Sequence, residues 1–162
     1  MFSQPIRQTA TDLLERYRRA GLRIATAESC TGGLVAAALT AIAGSSDVVE
    51  RGFVTYTNDA KEQQLGVPRL ALLAYGAVSE PVARAMAEGA LRESLADVAV
   101  SVTGIAGPGG ATADKPVGLV HFGAARRGHA TLVERHVFPG DRDAVRAAAL
   151  ATALALLGRS LG

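Results

Sequence analysis

The chain contains no tryptophan and a single cysteine, Cys30. One thiol cannot close an internal disulfide, and it excludes a zinc site built on paired cysteines. Aromatic residues make up 4% of the 162 positions, so the core has to be assembled from Ala, Leu and Val. Lysine is nearly absent. Of 17 basic residues, 15 are Arg, which leaves Lys61 and Lys115. Arg stays protonated at any working pH, whereas Lys loses its proton where charge is disfavoured. In so Arg-biased a background each Lys is a candidate for chemistry that Arg cannot do. Chance survival of two lysines is the competing explanation, and composition does not separate the two.

Other absences narrow the function. Net charge is only +2, and Arg16, Arg18 and Arg19 read as one solvated helix face, so a nucleic-acid partner is not expected. No apolar segment follows the first basic residues, so no secretory signal is visible. The longest nearly apolar run, 147–157, falls short of the roughly 20 residues a membrane helix needs. A cytoplasmic protein is expected. There is no phosphate-binding Gly-x-x-x-x-Gly-Lys-Ser/Thr loop. Gly107 and Gly109 start a Gly-x-Gly-x-x-Gly, but Thr112 stands at the third glycine and a strand follows instead of a helix. There is no His-Glu-x-x-His. His121, His129 and His136 all fall in or beside one late strand pair, and neither a metal nor a cofactor is expected.

What remains is a regular pattern. Hydrophobic residues reach 49% and charged residues 20%, the balance of a folded domain. An amphipathic helix is predicted over 6–20, ended by Gly21, and a short strand over 22–25. A turn at 28–33 leads into an Ala/Leu/Val helix to about residue 43, which its lack of a polar face predicts to be buried. A second strand is predicted over 52–56. Asn58 or Asp59 caps a short helix to Leu65, Pro68 opens another that stops at Gly76, and Ser79 caps a third to about Leu95. A buried strand follows at 98–102. A glycine-rich loop runs from Gly104 to Gly118. A hairpin turns around Arg127-Gly128, and Asp141 caps the last helix. This order predicts one α/β domain spanning 1–162, a three-layer α/β/α arrangement around a mixed sheet.

Ser29 is the leading candidate for chemistry. It lies in a strand-to-helix turn, Ala27-Glu28-Ser29-Cys30-Thr31-Gly32-Gly33, where ligands of open α/β sheets bind. The helix after it is expected to aim free N–H groups and its positive end at a substrate. On this motif alone an ordinary N-cap and an active site are equally good readings. Cys30 is a rival nucleophile, ranked second because no His accompanies it. Without a His, a Ser–Lys pair is the available solution. Lys61, in the first turn of the helix beginning near Asn58, is the candidate base. Tyr56, expected to end the preceding strand, can hydrogen-bond either partner. Exposed N–H groups in the Gly104 loop suit a phosphate or a polar ring substituent. Arg142 is placed to reach an anion at the same edge.

Seven segments in order then carry a resemblance. The turn at Ser29, Gly44-Ser45-Ser46, Tyr56-Thr57-Asn58-Asp59-Ala60-Lys61 with Leu65-Gly66-Val67, Gly76-Ala77-Val78-Ser79, Thr103-Gly104-Ile105-Ala106-Gly107-Pro108, Lys115-Pro116-Val117-Gly118, and Gly140-Asp141-Arg142 resemble the CinA C-terminal domain family. Ala111 and Ala113 depart from it in the glycine loop. The resemblance implies hydrolysis of the carboxamide of nicotinamide mononucleotide (NMN), with no cofactor and no metal, in a homodimer. It implies Ser29 as nucleophile, Lys61 as base and Tyr56 as the assisting residue. It implies Ser46, Thr103, Gly104, Ala106 and Arg142 as substrate contacts. Cys30 and Thr31 are the candidate oxyanion donors. The alternative is a nucleotide-binding or interaction module tied to competence or DNA damage, without deamidase activity.

Overall fold

The computed structural model describes the whole chain, Met1–Gly162. Helix α1 (Gln4–Ala20) buries Ala10, Leu13, Leu14 and Tyr17, one stripe at helical spacing. Ser3 caps it by accepting from the Ile6 N–H, and Gly21 ends it in the left-handed conformation. Strand β1 (Ile24–Glu28) follows, then α2 (Leu34–Thr40) and a 3-10 turn over Ser45–Asp47. Strand β2 (Val49–Val54), helices α3 (Asn58–Leu65), α4 (Arg69–Tyr75) and α5 (Glu80–Arg92), and strand β3 (Val98–Gly104) complete the parallel half. Strands β4 (Leu119–Arg126) and β5 (Leu132–Val137) form the hairpin, and α6 (Arg142–Arg159) closes the chain. The sheet order is β2-β1-β3-β4-β5. β1 runs parallel to both neighbours, while β4 and β5 pair antiparallel.

The two faces of the sheet differ in side-chain size. Ile24, Val98, Val100, Val102, Val120 and Phe122 face α1, α2 and α6 in the larger core. Ala25, Ala27, Ala99 and Ala125 face α3, α4 and α5 in the smaller one. Small residues on that side let α5 lie almost on the backbone of the sheet. Ser101 Oγ donates to the Ala83 carbonyl at 2.6 Å. A Cβ on Gly123 would sit 2.7 Å from the same oxygen.

Several boundaries differ from the sequence expectations, each for a tertiary reason. β1 starts later than predicted and extends to Glu28, because Thr26, Ala27 and Glu28 are paired on both sides by β2 and β3. β2 begins at Val49 and stops at Val54, so Tyr56 lies beyond the strand and is exposed. Thr57 caps α3, accepting from the Ala60 N–H at 3.1 Å. α2 is shorter than predicted and only half buried: Val35, Ala38 and Leu39 face inward and the rest is partly open. α5 ends at Arg92, three residues before the expected Leu95.

Candidate active site

The parallel strands β1, β2 and β3 all end at one edge, and the chain leaving each one contributes to a cleft of about 260 Å³. β1 delivers Ser29 and Cys30, and β3 delivers Thr103, Gly104, Ile105 and Ala106. From β2 come Tyr56, then Asn58 and Lys61 on α3. Arg142 closes the mouth from the start of α6.

At the floor, Lys61 Nζ lies 3.0 Å from Ser29 Oγ and 2.9 Å from the Thr55 carbonyl. Lys61 is 1% exposed, among the most buried large side chains of the molecule. It makes no salt bridge. Burial therefore pulls its pKa below the usual lysine value. A Cys30 thiolate would oppose that shift, but burial pushes the Cys30 thiol up to about 11. At neutral pH Cys30 is an uncharged thiol. It neither holds Lys61 in its charged form nor acts as a ready nucleophile. Lys115, the other lysine, is partly open and donates to the Tyr75 carbonyl, tying the glycine loop to the end of α4.

Glu28 was not a candidate from sequence, and it organises the turn. It is fully buried. One carboxylate oxygen accepts from Thr31 Oγ1 at 2.7 Å and the Val35 N–H at 2.9 Å, and the other accepts from the Ala36 N–H at 3.1 Å. The N-terminus of α2 is thus already occupied by an internal anion, as the helix dipole favours. This corrects the expectation that α2 offers its free N–H groups to a substrate. The available donors lie earlier, in the turn itself. The Ser29 N–H bonds the Val102 carbonyl and the Gly32 N–H bonds the Ser29 carbonyl, while the Cys30, Thr31 and Gly33 N–H groups have no acceptor in the chain. Thr31 is fully buried with its side chain facing Glu28, and of the two residues after Ser29 only Cys30 lines the cleft.

The remaining candidates separate. Thr103 is buried and its Oγ1 donates to the Ala77 carbonyl. Gly104 has no room for a side chain: a Cβ would meet Val120 at 2.7 Å and the Leu119 carbonyl at 2.9 Å. Arg142 donates to the Gly107 carbonyl at 2.8 Å and to the Tyr56 hydroxyl at 2.9 Å, linking the glycine loop to the segment after β2. Two of its five N–H donors are used in this way. Ser46 is not brought to the cleft. It is exposed in the 3-10 turn before β2, and Val49 there pairs with Ile24 at the start of β1. Helix α2 carries the chain back across the sheet, which leaves Ser46 at the opposite edge from Ser29. Asn58, expected only as a cap, lines the cleft instead. Its place in the Tyr56 to Lys61 segment was the signal that could have marked it. No cluster of three or more His, Cys, Asp or Glu is placed to hold a metal ion. No helix is long and apolar enough to cross a membrane.

Residues 6–161 match the model of the CinA C-terminal domain. The chain is 49% identical over 157 residues to the nicotinamide-nucleotide amidohydrolase PncC of Escherichia coli (strain K12), covering 97% of this chain and 95% of that protein. It is 53% identical over 147 residues to a CinA-like protein of Syntrophobacter fumaroxidans, covering 91% of this chain and 34% of the relative. The chain thus spans about a third of the length of such longer curated relatives and nearly all of PncC. Among solved structures, the competence/damage inducible protein CihA from Agrobacterium tumefaciens superposes with a TM-score of 0.96 at 50% identity, covering 98% of this chain and 97% of that one. Fold, strand-edge cleft and near-complete sequence match agree, and the chain belongs to the CinA C-terminal domain family.

Proposed function

We propose that the chain, as one amidohydrolase domain over residues 1–162, hydrolyses the carboxamide of NMN to nicotinic acid mononucleotide and ammonia. The observation that carries this reading is the buried Lys61 amine, 3.0 Å from Ser29 Oγ and free of any carboxylate. The match, nearly end to end, to PncC, a nicotinamide-nucleotide amidohydrolase, supports the choice of substrate.

Neutral Lys61 takes the Ser29 proton, and Oγ attacks the carboxamide carbon. The oxyanion is received by the unpaired N–H groups of Cys30 and Thr31. The lysine ammonium returns its proton to the departing nitrogen, and ammonia leaves. Water then attacks the acyl-serine, giving its proton to Lys61, which returns it to Ser29 Oγ as the acyl–oxygen bond breaks and the carboxylate product is released. The cationic pyridinium ring withdraws electrons and activates the amide. Arg142, with N–H donors to spare at the mouth of the cleft, suits the phosphate. Tyr56 is held in place by Arg142 and faces the same space. Leu70, Leu73 and Tyr75, all exposed on α4, support a self-association surface for the homodimer that the family resemblance implies.

The test is direct. Purified protein is incubated with NMN and ammonia is measured. Wild type is expected to release it and Ser29→Ala is not. Absence of ammonia from the wild type leaves the binding-module reading in place of this one.

A further inference from the structure

Arg146 lies one helical turn beyond Arg142 on α6, half-buried, and makes no salt bridge. Its hydrogen bonds go to the turn that carries Ser29. Nε donates to the Cys30 carbonyl at 3.2 Å and a terminal nitrogen donates to the Thr31 carbonyl at 3.3 Å. The guanidinium packs behind Gly32, 3.7 Å from where a Cβ would stand there.

A trans peptide is planar, with its N–H antiparallel to its C=O. Holding the Cys30 carbonyl therefore points the Thr31 N–H away from Arg146. Holding the Thr31 carbonyl orients the next peptide, whose Gly32 N–H bonds the Ser29 carbonyl at 3.0 Å. That bond in turn orients the Ser29–Cys30 peptide and so the Cys30 N–H. One guanidinium thus sets three consecutive peptide planes. Cys30, Thr31 and Gly33 are the N–H groups of the turn left without an acceptor, and this chain of contacts orients the first two, which flank Ser29 most closely in the chain. A cation on a carbonyl oxygen also polarises the peptide and strengthens its N–H as a donor.

We propose that Arg146 is a positioning residue for the amidohydrolase reaction, aiming the Cys30 and Thr31 N–H groups at the developing oxyanion without touching substrate. This rests on the function proposed above. The contrast within the molecule is Arg127, which donates to the Leu91 carbonyl in the last turn of α5 and to the Ser94 and Ala96 carbonyls after it, far from the cleft. Arg127 staples a chain segment, whereas Arg146 holds reacting machinery.

The two roles differ in what they change. Steady-state kinetics on NMN are measured for wild type, Arg146→Ala, Arg146→Lys and Arg127→Ala, with Tm for each. In Arg146→Ala, kcat is expected to fall roughly 10- to 100-fold, with KM changed by no more than about twofold, as for a loss confined to the transition state. Arg146→Lys, with a single point donor, falls between it and wild type. Millimolar guanidinium restores part of the Arg146→Ala kcat. Arg127→Ala lowers Tm and leaves kcat in place. Unchanged kcat in Arg146→Ala, or a loss that tracks Tm and ignores guanidinium, overturns the positioning role while the deamidase reading stands. An inactive wild type overturns both.

Discussion

Lys61 donates to the Thr55 carbonyl, on the strand exit just before its own helix, and this bond decides what it can do for Ser29. A neutral amine has two N–H groups and one lone pair. With one N–H committed to Thr55 at 2.9 Å, the lone pair is free to face the Ser29 hydroxyl at 3.0 Å. The ammonium form has only donors, and burial disfavours it.

Activity is therefore expected to fall as pH drops through the lowered Lys61 pKa, because the protonated amine cannot accept. The acid limb of kcat/KM belongs below the ordinary lysine value of 10.5. Lys61→Arg puts a permanent cation in place of the neutral amine and loses the base, and should cost on the order of 10³-fold in kcat. The sign for stability is also set. Between the lowered folded pKa and 10.5 the unfolded chain binds the proton and the folded chain does not, so wild type gains stability relative to Lys61→Met as pH rises. Denaturant titrations of both proteins across pH check this, and a flat difference would contradict it.

Glu28→Gln keeps the shape of the buried side chain but replaces one acceptor oxygen with a donor NH₂. At least one of the Val35 N–H, Ala36 N–H and Thr31 hydroxyl then meets a donor. A cost of about 1–3 kcal/mol is expected, read as a lower denaturant midpoint. Because the same contacts shape the Ser29 turn, kcat should fall with it. A variant as stable and as active as wild type would remove Glu28 from the account.

Gly89 reverses a general rule. Gly to Ala inside a helix usually stabilises by about 1 kcal/mol. Here a Cβ would stand 2.0 Å from the Leu65 carbonyl at the end of α3. Gly89→Ala is expected to destabilise by about 1–3 kcal/mol and to push α3 away from α5. Since α3 carries Lys61, the deamidase rate should drop further than stability alone accounts for. Thermal unfolding and kinetics on the same sample test both halves.

Arg142→Ala removes the link between Tyr56 and Gly107 and the cation at the mouth of the cleft. The expected effect is chiefly on KM, raised roughly 10- to 100-fold, as for loss of a charge-assisted hydrogen bond. Nicotinamide riboside, which lacks the phosphate, should be nearly indifferent to the substitution. Equal losses on both substrates would assign Arg142 to holding the loop instead.

The sequence by itself determined what depends on neighbouring residues. The apolar stripe of α1, the Gly21 helix end, the Asp141 cap and the alternation of helices and strands are local signals, and they were legible. The turn that carries Ser29 is likewise one contiguous motif, and the Arg bias singled out Lys61; that the two meet at 3.0 Å is a matter of the fold. Only the tertiary structure decided what depends on partners far along the chain. The extent of β1 follows from pairing with β2 and β3. Arg146 reaches Cys30 across 116 positions, and no local pattern distinguishes it from the arginines that face solvent. Ser46 lies near Ser29 in sequence yet at the far edge of the sheet, because α2 spans the distance between the two edges. Glu28 read as one residue of a motif until its burial left it a single set of partners, the N–H groups and hydroxyl of the turn it now holds. A buried charge must find such partners, and where they lie is a property of the packed chain.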